Sequence, residues 1–207
     1  MWKTLFGKKK TSAEVEKIKA QAESGDHKIY PILKPGDWAG MQAGAINQTL
    51  VGNDENPEVV VGFGYDTPEN FVFLTHQHLE KMDGDQILKE AYENLELYDT
   101  EFEFSEALNN QVLTSSGLDF SSEKILSPSH MQKAHDLLKA DELLVSIPRR
   151  RCMMVVSKNA EKELLNTFVG LHHNAWEDDS FGNAPIANML FVVQQGNIVG
   201  TIPMDNA

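Results

Sequence analysis

The sequence predicts an α+β domain: a mixed or antiparallel sheet built from successive ββα units, with the helices packed on one face. Two observations carry that prediction. The densest apolar run, Glu142 to Val156 (ELLVSIPRRRCMMVV), alternates along both halves and is broken by Pro148 and three consecutive arginines. Apolar residues on both sides of the alternation suit a strand pair buried on both faces, near the middle of a sheet. Strand-like runs also recur in close pairs along the chain, and an amphipathic helical pattern follows each of the first three pairs. Closely spaced strands favour antiparallel hairpins, and the helices between them need a sheet face to cover.

Residues 1–27 read as a tail and a helix, and 28–207 as a single α+β domain. Thr11 and Glu14 make a capping box for a helix over Ser12 to Glu23, with Val15, Ile18 and Ala22 on one face, and Gly25 stops it. Lys28 to Leu33 (KIYPIL) is extended, because Pro31 disfavours helix and restrains Tyr30 before it. Lys34 to Asn56 is rich in Gly, Ala, Asn and Gln without a clean period. It reads as irregular, with one short helix around Ala43 to Leu50, and is where a lid or linker is expected.

The paired order then begins. Val59 to Phe63 and Phe71 to Thr75 flank turn chemistry at Asp66-Thr67-Pro68-Glu69-Asn70. Asp83 caps a helix that carries Ile87, Leu88, Ala91, Tyr92 and Leu95 on one stripe. Glu101 to Glu106 and Gln111 to Ser115 turn through Asn109-Asn110, and Ser127-Pro128 starts a helix bearing Met131, Ala134, His135 and Leu138. The central run is the third pair, with Pro148 ending its first strand, Arg149 and Arg150 solvated in the turn and Arg151 opening the second strand. Asn159 caps the helix after it, whose apolar face is Leu164, Leu165, Phe168 and Leu171. Asn188 to Gln194 and Ile198 to Ile202 close the chain around a Gly196-Asn197 turn.

Composition narrows the classes. At 207 residues, such a domain buries roughly 70% of its unfolded surface and needs no covalent staple. The one cysteine, Cys152, allows no intramolecular disulfide and reads as a small buried hydrophobe. No apolar run reaches the ~20 residues that span a bilayer, and MWKTLFGKKK lacks the core of a secretory signal, so a cytoplasmic location is expected. With 31 acidic against 18 basic residues, the net charge of −13 repels a phosphate backbone, which argues against a nucleic-acid partner. The lysines near the start give weak, reversible membrane attraction at most, so no stable membrane association is expected.

Several residues are candidates for chemistry. His76 and His78, at i and i+2, point the same way on a strand, a geometry open to zinc or iron, with Asp83 and Asp85 nearby as oxygen ligands. His172 and His173 end a helix ahead of Glu177, Asp178 and Asp179, an arrangement open to acid–base work and equally explained by the helix dipole. Arg149 and Arg150 are candidates for contact with an anion or acidic partner, since guanidinium recognises carboxylate and phosphate bidentately. The sequence contains no phosphate-binding loop, dinucleotide fingerprint or nucleophile elbow, and no cofactor is implied.

The order and spacing of KIYPIL, FVFLTHQHLEK with its helix ending in ENL, LLVSIPRRRCMMVVSK and API-NMLFVV-QQGN-I resemble the YtpQ-like bacterial proteins over roughly Lys28 to Pro203. The matching residues are Tyr30-Pro31, Asn94-Leu95, Ile147-Pro148-Arg149 and Gly196. A positive position before Ile125-Leu126 is Lys124 here, where arginine is the more usual residue, and it joins the candidate anion contact on that ground. The resemblance implies a cytoplasmic α+β protein and carries over no active site. Two classes of function stay open: a non-catalytic module that binds another protein, and a small hydrolytic or metal-dependent enzyme using His76/His78 or His172/His173.

Overall fold

Ten strands among the described residues form two antiparallel sheets, where the sequence predicts one. The structure is a computed structural model that describes residues 27–180 and 182–204, so the expected tail and the capped helix of Ser12 to Glu23 lie outside the described residues. The first sheet contains β1 (Ile29–Pro35), β2 (Asn47–Gly52), β3 (Pro57–Asp66) and β4 (Phe71–Phe73). β3 is its spine: β1 lies along one edge, and β2 and β4 share the other. The second sheet contains β5 (Glu103–Phe104), β6 (Val112–Ser116), β7 (Glu142–Ser146), β8 (Cys152–Ser157), β9 (Met189–Gln194) and β10 (Asn197–Pro203). Its order is β10-β9-β7-β8-β6-β5, so the central run of the sequence is a hairpin in the middle of six strands. Val145 there lies opposite Val155 on one side and Phe191 on the other.

The helices are α1 (Ala39–Gln42), α2 (Gly84–Glu96), α3 (Pro128–Leu138) and α4 (Lys162–Glu177). Local chemistry starts two of them as the sequence predicts. Asp83 accepts from the amide of Asp85, and Ser127 accepts from that of His130 with Pro128 in the first turn. Asn159 does not cap α4; the residue before its first turn is Glu161, which makes no side-chain capping bond.

The helices occupy both faces of the second sheet, which corrects the one-face arrangement. Ile87 and Ala91 of α2 and Met131 and Ala134 of α3 share one buried cluster with Leu33, Val61 and Phe63 of the first sheet and Val145, Val155 and Phe191 of the second. Leu164, Leu165 and Phe168 of α4 cover Leu144, Val156, Leu190 and Val192 on the opposite side. The reason lies in the strands themselves. β7 and β9 are apolar at odd and even positions alike, so each face of the sheet needs a cover.

Residues 34–56 are not wholly irregular: they hold the end of β1, a short helix and an edge strand joined by turns. The short helix comes at Ala39–Gln42, and Asn47–Gly52 is strand β2. No apolar alternation marks β2, because it is an edge strand and β3 supplies its backbone partners.

The edge of β1 is sealed residue by residue. Bonds from Gly36 N to Glu58 O and from Asp66 N to Lys28 O set the alternation, so Ile29, Pro31, Leu33 and Pro35 turn their main chain away from β3. The two prolines have no donor to leave orphaned. Asn94 of α2 donates Nδ2 to Ile29 O at 3.0 Å, and Glu123 accepts the amide of Leu33 at 3.1 Å. At the far end of the fold, Gly196 turns the β9–β10 hairpin at φ +76°, with the carbonyl of Pro128 only 2.6 Å from where a Cβ would stand.

The middle strands set the first test. Val145→Asp places a carboxylate in a fully buried position at a cost of at least ~3 kcal/mol, so urea unfolding should show a collapsed or absent cooperative transition. A transition close to wild type would show that β7 is not the centre of the sheet.

Candidate functional site, a charged cleft beside the first sheet

Two of the three cations that the sequence offers as anion contacts are helix caps. Lys124 is buried in a 3-10 turn, Glu123–Leu126, and its Nζ donates to Leu95 O at 3.0 Å, Tyr98 O at 3.1 Å and Glu96 O at 3.2 Å. Leu95 and Glu96 are the last residues of α2 and Tyr98 follows them; the Leu95 carbonyl also accepts the amide of Tyr98. Burial lowers the ammonium pKa, with Glu96 opposing that shift. Arg149 does the same for α4. Its Nε donates to Ala175 O at 2.9 Å and Trp176 O at 3.0 Å, Nη2 also reaches Trp176 O, and Nη1 reaches Asn183 O at 2.9 Å. The solvated reading of Arg149 is therefore corrected, because the turn lies against the end of α4. Arg151 does not open β8 either; it stands in the turn at φ 60° and pairs with Asp119.

Arg150 is the cation that keeps donors in reserve. It is half-buried; its amide donates to Ala184 O and its Nη2 to Asp119 O at 3.3 Å, while Nε is buried without a partner. Its charge acts on Lys34, Asp66 and Glu123. Glu123 is fully buried: Oε1 takes the amide of Leu33, and Oε2 has no partner. Burial pushes its carboxyl up to about 7 against the opposing pull of Arg150, its hydrogen bonds and Lys34. Burial and Arg150 lower the pKa of Lys34, whose Nζ lies 5.8 Å from the ring centre of Trp38 and 5.4 Å from that of Phe73.

An open cleft of about 460 Å³ adjoins this cluster, lined by His27, Lys28, Tyr30, Asp66, Thr67 and Asp119 among others. Tyr30 stacks on Phe120 with centroids 4.3 Å apart and meets Tyr98 edge-on at 6.0 Å, which fixes its ring. Burial raises the Asp66 carboxyl above its ordinary value, and the neighbouring Asp119 adds to that, while Arg150 and His27 oppose it. The arrangement sets the Asp66 carboxylate, and Asp119 with its partner Arg151, beside an aromatic wall, with Lys28 and His27 at the same cleft. Sequence reasoning misses Glu123, Asp66 and Asp119. Phe120 and Ile125-Leu126 around Glu123 are the one signal that its segment is packed rather than solvated.

The histidines do not converge. His76 and His78 occupy a 3-10 turn, His76–Glu80, and not a strand, so side chains two residues apart stand about 120° apart around its axis. Nδ1 of His78 accepts the amide of Thr75 at 3.0 Å in a capping box. Among the described residues, no three His, Cys, Asp or Glu side chains are grouped to hold a metal ion. His172 is buried in α4, with Nδ1 2.9 Å from Ser146 Oγ on β7, and burial lowers its pKa. It is a polar pin between α4 and the sheet, and His173 beside it is exposed. Asp178 accepts the amide of Ser180, which holds its carboxyl low. Cys152 is half-buried, and burial raises its thiol pKa.

Comparison with models of known families, with curated proteins and with solved structures finds no match to this chain.

Two outcomes follow from this geometry. Arg149→Ser leaves the last carbonyls of α4 without donors and should cost about 2 kcal/mol in urea unfolding, whereas Arg151→Ser, which breaks an exposed pair, should stay within about 0.5 kcal/mol. Equal effects would contradict the capping role. Glu123 sets a pH dependence. Its folded carboxyl, near 7, holds a proton that the unfolded carboxyl, near 4.5, has already lost, so its contribution to stability falls as pH rises from about 4.5 to about 7. Glu123→Gln removes that slope and should gain on wild type across the window by about 3 kcal/mol as an order of magnitude. Parallel stability–pH curves for the two proteins would show that the carboxyl ionises normally.

Proposed function

We propose that this protein is a non-catalytic interaction module for a basic partner protein, with the Asp66–Asp119 cleft as a contact for the partner's cationic side chains. The commitment of Lys124 and Arg149 to helix carbonyls carries this reading. Two of the three cations that the sequence offers to an anion or acidic partner are engaged internally, Arg151 is paired with Asp119, and only Arg150 of that turn keeps donors in reserve. The charge left for a partner is dominated by carboxylates, on a chain of net charge −13. Such a surface steers a basic protein toward it and repels an acidic one. At the cleft, an incoming ammonium or guanidinium would favour the charged form of Asp66, which burial and then Asp119 disfavour, although Asp119 already pairs with Arg151. Membership of the YtpQ-like bacterial proteins and a cytoplasmic location belong to the same proposal. The alternative of a hydrolytic or metal-dependent enzyme draws less support, since His172 is buried and His76 and His78 diverge.

No helix among the described residues is long and apolar enough to cross a membrane. The test is a fluorescence titration with a labelled lysine-rich peptide. Asp66→Asn with Asp119→Asn should weaken binding about tenfold, while Glu161→Gln with Glu163→Gln, an exposed pair at the start of α4, should change it less than about twofold. Equal losses from both pairs would reduce the interaction to general attraction, and no binding by wild type would end the proposal.

A further inference from the structure

The exposed edges of the two sheets are not alike. β1 is sealed by Pro31, Pro35, Asn94 and Glu123. β10 carries a register shift between Ile198 and Gly200, and Pro203 stands where the alternation set by Met204 N to Asn188 O turns the main chain outward. β4 and β5 are three and two residues long. These are the usual means by which an edge is kept from pairing. β2 has neither proline nor charge; its two register shifts, between Thr49 and Val51 and between Val51 and Gly52, leave Asn47 to Thr49 in regular register. The bond from Phe63 N to Ile46 O places Gln48 in register to bond Val61, so the main chains of Asn47 and Thr49 face the open side.

A groove of about 600 Å³ runs along that open strand, lined by Met41, Asn47, Gln48, Thr49, Asp54 and Pro57. Among the described residues, no Lys or Arg lines it. Its charge is acidic: Asp54, with Glu55 and Glu58 beside it, is exposed in and after the β2–β3 turn. Thr49 Oγ1 donates to Asp54 Oδ1 at 2.9 Å, which holds one carboxylate beside the edge.

We infer that β2 is a docking edge for an extended, lysine- or arginine-bearing segment of the partner, which adds a strand to the first sheet by pairing with Asn47 and Thr49. The inference rests on the basic-partner reading and adds the mode and place of attachment. Main-chain bonds to the edge supply affinity whatever the sequence of the segment, and the carboxylates at the turn select for its positive side chains. A second copy of this chain is a poorer occupant, because its own β2 edge, NQTLVG, brings no Lys or Arg to meet Asp54 and Glu55.

The test uses the full chain and two labelled peptides of alternating lysine and threonine, one of them N-methylated at every second backbone amide. The peptides carry the same charge, but the second cannot complete a strand ladder. The unmodified peptide should bind at least about tenfold more tightly and should slow hydrogen exchange at the amides of Asn47 and Thr49. Equal affinities with no protection of those amides would overturn the docking edge and leave the basic-partner reading standing. Failure of both peptides to bind would overturn both. Sedimentation as a dimer, with the two amides already protected in the absence of peptide, would make the occupant a second copy and would overturn the inference as well.

Discussion

The fold depends on two adjacent charged residues that face away from water. Glu123 and Lys124 share one 3-10 turn, and each supplies what a neighbouring element lacks: Glu123 an acceptor for the open amide of β1, Lys124 donors for the open carbonyls of α2. Burying an ion costs several kcal/mol unless its hydrogen-bonding capacity is met. Lys124 meets that condition with three carbonyls and is positioned to stay charged at the negative end of the helix. Glu123 does not meet it: Oε1 takes one amide and Oε2 has no partner, so burial raises its carboxyl to about 7. One turn thereby docks the first sheet and α2 together, and the chain runs from it directly into α3.

The helix ends explain why long-range cations are needed. A left-handed residue after the last turn satisfies terminal carbonyls locally. α3 ends that way, with Lys139 at φ 51° and the amide of Ala140 returning to His135 O. α2 and α4 do not: Leu97 and Asp178 follow them at φ −80° and −81°. Lys124 and Arg149 supply donors at those two ends. The motif residues behind the YtpQ-like resemblance fall at the same joints. Pro31 and Asn94 close β1, the Leu95 carbonyl receives Lys124, Arg149 closes α4, and Gly196 lets the last hairpin meet α3. They are architectural positions, which is why they indicate a fold without indicating a reaction.

That division also bears on the proposed partner. Lys124 and Arg149 are engaged at helix ends, and apart from the buried Glu123 the described carboxylates are half-buried or exposed. Asp66 and Asp119 stand at the cleft, and Asp54, Glu55 and Glu58 stand beside the one long edge that lacks proline. A basic, extended segment complements both features, one through charge and the other through the main chain.

What the sequence by itself determined was local. The hairpin of β7 and β8, the pairing of β3 with β4, the starts of α2 and α3 and the β9–β10 turn are all legible, because their signals lie within a few residues: alternation, a capping side chain, a proline, a glycine. Tertiary structure decided the partners. It separated β1 to β4 into their own sheet and put α4 across the second sheet from the other helices. It also turned Lys124 and Arg149 from candidate ligand contacts into caps and drew Glu123 into the interior. A guanidinium or ammonium has the same donors whether a phosphate, a solvent molecule or a helix end lies in front of it. The carbonyls that Lys124 and Arg149 meet belong to residues more than 25 positions away in the chain, and only packing brings them there.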